Sequence, residues 1–122
     1  MANRLAYGIS LQYTGTVKHW RARLDACSGF EWDESNAGKN WNLHRVTPEE
    51  AEEIFFHEPL LVAGDVHHSR REKRYQALGR TSRGRPLFVS FTIRRQLIRV
   101  ISARDMNRRE REQYEGYEEA NP

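Results

Sequence analysis

This sequence has little of what disulfide, metal-cluster or membrane chemistry requires. Of 122 residues one is cysteine, Cys27, so no disulfide framework forms within the chain, and a reducing cytoplasm is the expected setting. No apolar run approaches the roughly 18 residues of a membrane span, and the opening MANRLAYGIS has no apolar stretch of a secretory signal. Neither CxxC nor HExxH occurs. His67-His68 is a pair with no third ligand at useful spacing, so no metal and no cofactor are expected. A Gly-rich phosphate loop and an internal repeat are both missing. So is a helix-turn-helix pattern, which argues against direct sequence-specific DNA binding. What remains is a polar chain with 38% hydrophobic residues, enough for one small core.

The net charge of +3 hides its distribution. Residues 1–24 carry +4, residues 25–64 carry −7, residues 65–111 carry +10 and residues 112–122 carry −4. Within the +10 stretch there are fourteen basic side chains, and only Lys73 is a lysine. Arginine's planar fork binds phosphate oxygens two at a time and keeps its charge when partly desolvated. A phosphate-binding surface is the reading this favours. Surface ion pairs are the competing one, above all for Arg70, Arg71, Arg108 and Arg109.

Local signals place the elements. Thr47-Pro48-Glu49-Glu50 is a capping box with proline at the first helical position, and the helix should end before His57-Glu58-Pro59. Asp33 can cap a helix running to about Arg45, with Ala37, Trp41 and His44 on one side. Leu60–Ala63, Arg74–Arg80, Leu87–Ile93 and Leu97–Arg104 read as strands of an antiparallel meander. Asn107-Arg108-Arg109-Glu110 starts a last helix reaching about Glu119, with Glu110, Tyr114 and Tyr117 on one face. Near the N-terminus, Leu5, Tyr7, Ile9, Leu11 and Tyr13 alternate as in a strand. Val17, Trp20, Leu24 and Cys27 then follow at roughly helical spacing. The expected class is α+β, a small antiparallel sheet flanked by helices.

Strand parity groups the chemistry. Arg74 and Arg80 share a side of their strand, Ser102 and Arg104 share a side of theirs, and Arg99 points the other way. Pairing of the strands is expected to bring Arg74 or Arg80 near Arg104, beside the last helix and Tyr114. Cleaving RNA through its own 2′-hydroxyl calls for cations on the phosphorane, a group to take a proton and a group to give one. Such an arginine cluster fits the first requirement. His44 is either a hydrogen-bonded helix-end histidine or a general acid or base. Cys27 has no basic neighbour closer than Arg23 and reads as structural.

From Phe30 to about Tyr117 these pieces resemble the BrnT family of ribonuclease toxins. The matching residues are Phe30-Glu31-Trp32-Asp33, Asn40, His44, Val46, Pro48-Glu49-Glu50-Ala51, Arg74, Gly79-Arg80 and Arg83-Gly84-Arg85. The densest stretch is Ile98-Arg99-Val100-Ile101-Ser102-Ala103-Arg104 with Arg108-Arg109-Glu110-Arg111 and Tyr114. The resemblance implies a RelE-like fold and a metal-independent endoribonuclease that arrests growth. It implies His44, Arg74, Arg80, Arg104 and Tyr114 as catalytic residues, and Arg83, Arg85 and Arg99 as RNA-binding ones. It implies as partners an RNA substrate and a ribbon-helix-helix antitoxin (BrnA-like), with operator DNA met only through that complex. Membrane is not expected as a partner, and a homodimer and a hetero-oligomer both stay open. It also divides the chain into an N-terminal extension 1–29, a toxin domain 30–119 and a tail 120–122. The extension is either a genuine addition carrying a strand and a helix or an over-called start. The chain departs from the family pattern at Asn36 and Leu43, where lysine is usual, and at Arg45, where glycine is usual. Those departures motivate an alternative function: a catalytically weak module that holds an antitoxin and acts in operon autoregulation.

Overall fold

The computed structural model describes residues 23–65 and 71–122. The Leu5–Tyr13 alternation, Val17, Trp20, His67-His68 and Arg70 lie outside them. The described elements are β1 (Gly29–Glu31), α1 (Glu34–His44), α2 (Pro48–Glu53, continued by a 3-10 turn, Ile54–Phe56) and β2 (Leu61–Gly64). They are followed by β3 (Arg74–Arg80), β4 (Pro86–Arg94), β5 (Leu97–Asp105) and α3 (Arg108–Ala120). One five-stranded sheet runs in the order β1-β5-β4-β3-β2, and the class is α+β.

The meander from β2 to β5 is antiparallel throughout. The first strand is the addition that the sequence did not reveal. Three residues are too few to show a period of two, yet Gly29, Phe30 and Glu31 pair in parallel with Leu97, Ile98 and Arg99. The core also reaches ahead of Phe30, because Leu24 and Cys27 are buried within it. Burial pushes the Cys27 thiol up to about 11, with Arg23 pulling partly the other way.

All three capping boxes form, on Asp33 with Asn36, Thr47 with Glu50, and Asn107 with Glu110. The α2 stripe of Ala51, Ile54 and Phe55 is fully buried. It packs on the sheet face that carries Val62, Tyr75, Ala77, Leu87, Val89, Phe91, Ile98 and Val100. Phe91 sits between the edge of Phe55 at 5.1 Å and the stacked ring of Tyr75 at 5.4 Å. Close approach here requires Gly79: a Cβ on it would lie 2.9 Å from the Ile54 Cβ.

Helix α1 buries a polar side. Its buried residues are Asn36 and Asn40, while Trp41 is exposed. Both asparagines serve β5 where β1 has ended. Asn36 Nδ2 donates to Glu31 O at 3.0 Å and to Val100 O at 2.9 Å, and its Oδ1 accepts from Asp33 N. Asn40 Oδ1 accepts from Ala103 N at 3.0 Å, and its Nδ2 donates to Asn36 O. These bonds bracket a β-bulge. Ser90 faces Ser102 and Phe91 faces Val100, so Ile101 has no partner on β4.

The helix ends on Arg45 in the left-handed region, φ 54°. Glycine adopts that conformation without strain, whereas an L side chain costs about 1–2 kcal/mol there. Stacking of Arg45 over Trp41 at 5.2 Å offsets part of this.

Two substitutions test this account. Asn40→Ala leaves the Ala103 N–H buried without an acceptor and should cost about 2–3 kcal/mol in urea unfolding; a loss below 0.5 kcal/mol, on the order of a surface change, would refute it. Arg45→Gly should raise stability by up to about 1 kcal/mol, and a lower unfolding midpoint would show that the stack outweighs the backbone.

Candidate active site

The bulge decides which arginines meet. Thr92 faces Arg99 and Phe88 faces Arg104, and Phe88 and Thr92 lie on the same side of the uninterrupted β4. Arg99 and Arg104 therefore share a face. This corrects the simple parity reading, which sends Arg99 to the other side, because the unpaired Ile101 shifts the alternation by one.

That face, opposite the main core, carries three cross-strand rows. They are Arg74–Thr92–Arg99, then Gln76–Ser90–Ser102, then Leu78–Phe88–Arg104. Helix α3 covers the β2–β3 end, where Tyr114 and Met106 pack on Leu61 and Leu78 with Phe88 and Tyr117 alongside. Gln76, Ser90 and Ser102 stay half-buried. Arg74, Arg99 and Arg104 thus surround a trough of small hydroxyls and an amide. Along β5, Arg99 and Arg104 stand about 13 Å apart at the usual rise per residue, and Arg74 is about 10 Å across from Arg99.

Most of these arginines already hold carboxylates. Arg99 donates to Glu31 Oε1 and Asp33 Oδ2 at 3.1 Å each, and to Ser35 Oγ at 2.9 Å. Arg104 makes a two-pronged pair with Glu110 at 2.8 and 3.0 Å and lies 4.1 Å from the Phe88 ring centre. Arg94 pairs with Glu72. Partners for these guanidinium groups come from β1, α1 and α3 as well as from the basic stretch itself.

The other expected site residues separate. Arg80 is on the same face but under α3, paired in two-pronged fashion with Glu118 at 2.9 Å and stacked on Tyr114 at 5.5 Å. Tyr114 is 1% exposed. Its Oη donates to Pro59 O at 2.6 Å, and burial, reinforced by Glu118, raises its pKa above the usual phenol range despite Arg80. It packs α3 against the sheet and is not placed to exchange protons with a substrate. Arg85 is consumed within the fold, bound to Glu50, Asp105 and the carbonyls of His44 and Arg45. Arg83 is exposed on a groove of about 430 Å³ with Glu50, Glu53, Thr81, Ser82 and Arg85. His44 is half-buried at the end of α1 and close enough to Asp105 to help lower its pKa, after the larger effect of the Arg85 hydrogen bond. It lies near the Arg104 end of β5 and away from Arg74. Asn36, one of the departures from the family pattern, is a buried hydrogen-bonding residue, and Leu43 is 66% exposed. Among the described residues no group of three His, Cys, Asp or Glu side chains is placed to hold a metal.

Residues 32–110, nearly two-thirds of the chain, match the family model described as the ribonuclease toxin BrnT of type II toxin–antitoxin systems. No curated protein matches the chain.

The arginine partners predict a loss of stability in acid. The Arg99 hydrogen bond, with Ser35, holds Asp33 well below its usual range, and the Arg94 hydrogen bond lowers Glu72. Burial works to raise Glu110, but Arg104 and the Asn107 N–H outweigh it and lower it below its ordinary 4.5. Depressed folded-state values mean stability that is complete above the unfolded pKa and lost as pH falls through the folded one. Unfolding free energy should hold from pH 7 to about 5 and decline below about 4.5; a flat profile down to pH 3 would contradict this. Tyr114→Phe should cost about 1–2 kcal/mol through the orphaned Pro59 carbonyl while leaving RNA cleavage per folded molecule unchanged. A large fall in cleavage rate at unchanged stability would return the phenol to the chemistry.

Proposed function

The chain belongs to the BrnT family of ribonuclease toxins, and from that premise we propose that it cuts RNA on the sheet face bounded by Arg74, Arg99 and Arg104. The observation that carries this is the bulge at Ile101, which turns Arg99 to the same side as Arg104 and opposite Arg74 across β4. A phosphodiester lying over Gln76, Ser90 and Ser102 meets guanidinium groups from three directions. In the reaction the 2′-oxygen attacks phosphorus, the bond to the 5′-oxygen breaks, and a 2′,3′-cyclic phosphate and a 5′-hydroxyl result. One proton leaves the 2′-hydroxyl and one reaches the departing oxygen. Arginines stabilise the added negative charge on the phosphorane, so the step runs without a metal ion. Of the expected proton carriers, Tyr114 is fully buried and His44 half-buried, and His44 is assigned that role.

The ion pairs do not bar this chemistry. The Arg104–Glu110 pair is part-exposed, and a phosphate offers the same two-pronged geometry as the carboxylate it displaces; Arg99, 13% exposed and shared among Glu31, Asp33 and Ser35, is the more firmly held of the two. Growth arrest follows from RNA loss. Neutralisation falls to a ribbon-helix-helix antitoxin, with operator DNA bound only through the complex. A second reading is favoured by the same carboxylates: if they keep Arg99 and Arg104, the free protein is an antitoxin-binding module of low activity.

The purified chain incubated with RNA in EDTA separates the two. Cleavage with cyclic-phosphate ends supports the first reading; intact RNA together with tight, salt-sensitive antitoxin binding supports the second. Arg104→Ala and Arg99→Ala should each slow cleavage about a hundredfold, on the order of 3 kcal/mol. Because Arg104 also ties α3 to the sheet, its variant is read against an unfolding curve. Full activity in both variants would remove this face from the reaction. His44→Gln should abolish one limb of the pH–rate profile, and an unchanged profile would exclude it.

A further inference from the structure

The β4–β5 hairpin closes through two residues, Arg95 and Gln96, since Arg94 pairs with Leu97. Both have positive φ, 49° and 66°. A two-residue turn of this kind is normally made of Asn-Gly or Asp-Gly, because those residues tolerate the left-handed region and long side chains do not. Here the turn carries an arginine and a glutamine instead, both exposed. The two-residue closure itself demands positive φ at both positions, whichever residues fill them. Among the described residues, neighbouring Arg94 and Arg99 each hold a carboxylate, whereas no ion pair is formed by Arg95.

Beside the tip lies a groove of about 230 Å³ lined by Arg23, Ala26, Ile93, Arg95 and Gln96. Arg23 is fixed in its wall, donating to Tyr75 Oη at 3.0 Å and to Ile93 O at 3.1 Å. The tip is three residues beyond the Arg74–Thr92–Arg99 row, or about 10 Å at the usual rise. The turn is tied to the fold through the Gln96 carbonyl, which accepts from Ser28 N at 2.8 Å, and not through its side chains. Arg95, which forms no ion pair among the described residues, stands between the arginine face and the cationic groove, which opens around the hairpin tip on the core side of the sheet.

We propose that this hairpin tip is a second phosphate-binding position for the RNA strand, outside the scissile position. Arg95 holds the backbone phosphate of a flanking nucleotide, and the strand turns around the hairpin tip toward the groove beside Arg23 on the other side of the sheet. The proposal rests on the RNA-cleaving reading above and adds a subsite to it. Phosphate contacts of this kind position a strand without reading its bases, so the tip adds affinity and register but no sequence preference.

The test uses the full chain and a 2′-O-methyl oligoribonucleotide, which lacks the attacking hydroxyl and stays intact. Binding is measured by fluorescence anisotropy across a salt series, for wild type, Arg95→Asn and Arg95→Lys. Asparagine relieves the backbone, so its variant should unfold at a higher temperature and yet bind RNA several-fold more weakly, with the salt slope reduced by about 0.7. Lysine should keep most of the affinity. At saturating cleavable RNA the rate of the asparagine variant should equal wild type, with the change confined to KM. A stabilised Arg95→Asn that binds as tightly as wild type, with an unchanged salt slope, overturns the proposal, and would leave the tip to a protein partner. Failure of the wild type to bind the oligonucleotide at all overturns the RNA-cleaving reading itself, so the two failures are distinguishable.

Discussion

Two asparagine side chains set the geometry on which the rest of this molecule depends. A strand that loses its neighbour partway along must find partners for its remaining backbone groups or leave them buried and unpaired, at about 1–3 kcal/mol each. Strand β1 leaves β5 after Arg99. Asn36 and Asn40 take over with one bond to the Val100 carbonyl and one from the Ala103 N–H. Between those two residues lies the unpaired Ile101. Helix α1 is therefore bound to the irregular part of β5, and the irregularity decides which side chains look out from the open face. A regular β5 would send either Arg99 or Arg104 into the apolar core.

The same economy governs α3. Arg104 with Glu110, Arg80 with Glu118 and Tyr114 with Pro59 fasten this helix to the sheet. Residues of the types expected to perform chemistry are here also the attachments of an element. Tyr114 lies entirely on the packing side of that division. Arg80 and Arg104 stand at the boundary, each about a third exposed and each paired with a carboxylate of α3. The +10 segment is thus far from a bare cationic platform. Much of its charge is matched by acids, Glu31, Asp33, Glu50 and Glu118 from outside it in the sequence and Glu72, Asp105 and Glu110 from within it.

Much of the fold was legible beforehand. Capping boxes are local, since the side chain and the amide it binds are three residues apart; those at Thr47 and Asn107 form as expected, and the Asp33 cap proves to be a third, closed by Asn36. The β3, β4 and β5 runs show their period of two plainly, and β3 was placed to the residue. Strand β1 was missed because three residues carry no period and its pairing is with residues nearly seventy positions away. Of the site, Arg74 and Arg104 share a face of the sheet but stand at opposite corners of it, with β4 between them. Arg99 was misplaced because one unpaired residue inverts parity and nothing within LIRVISAR announces it. His44 and Arg85 were grouped with the arginines by chemistry alone, whereas α1 and the β3–β4 loop bring them together at one end of β5.

What the sequence determined by itself was the helices from Asp33 onward, the antiparallel strands from β2 to β5, the α+β class and the family, because capping, alternation and motif strings are short-range properties of neighbouring residues. It also determined that the charge is concentrated and that arginine carries it. Tertiary structure alone decided which arginines share a face, which are neutralised and which remain open. Those outcomes depend on contacts between residues far apart along the chain. Asn36 reaching Val100, Glu31 reaching Arg99 and Glu118 reaching Arg80 each join segments whose local sequence carries no mark of the other.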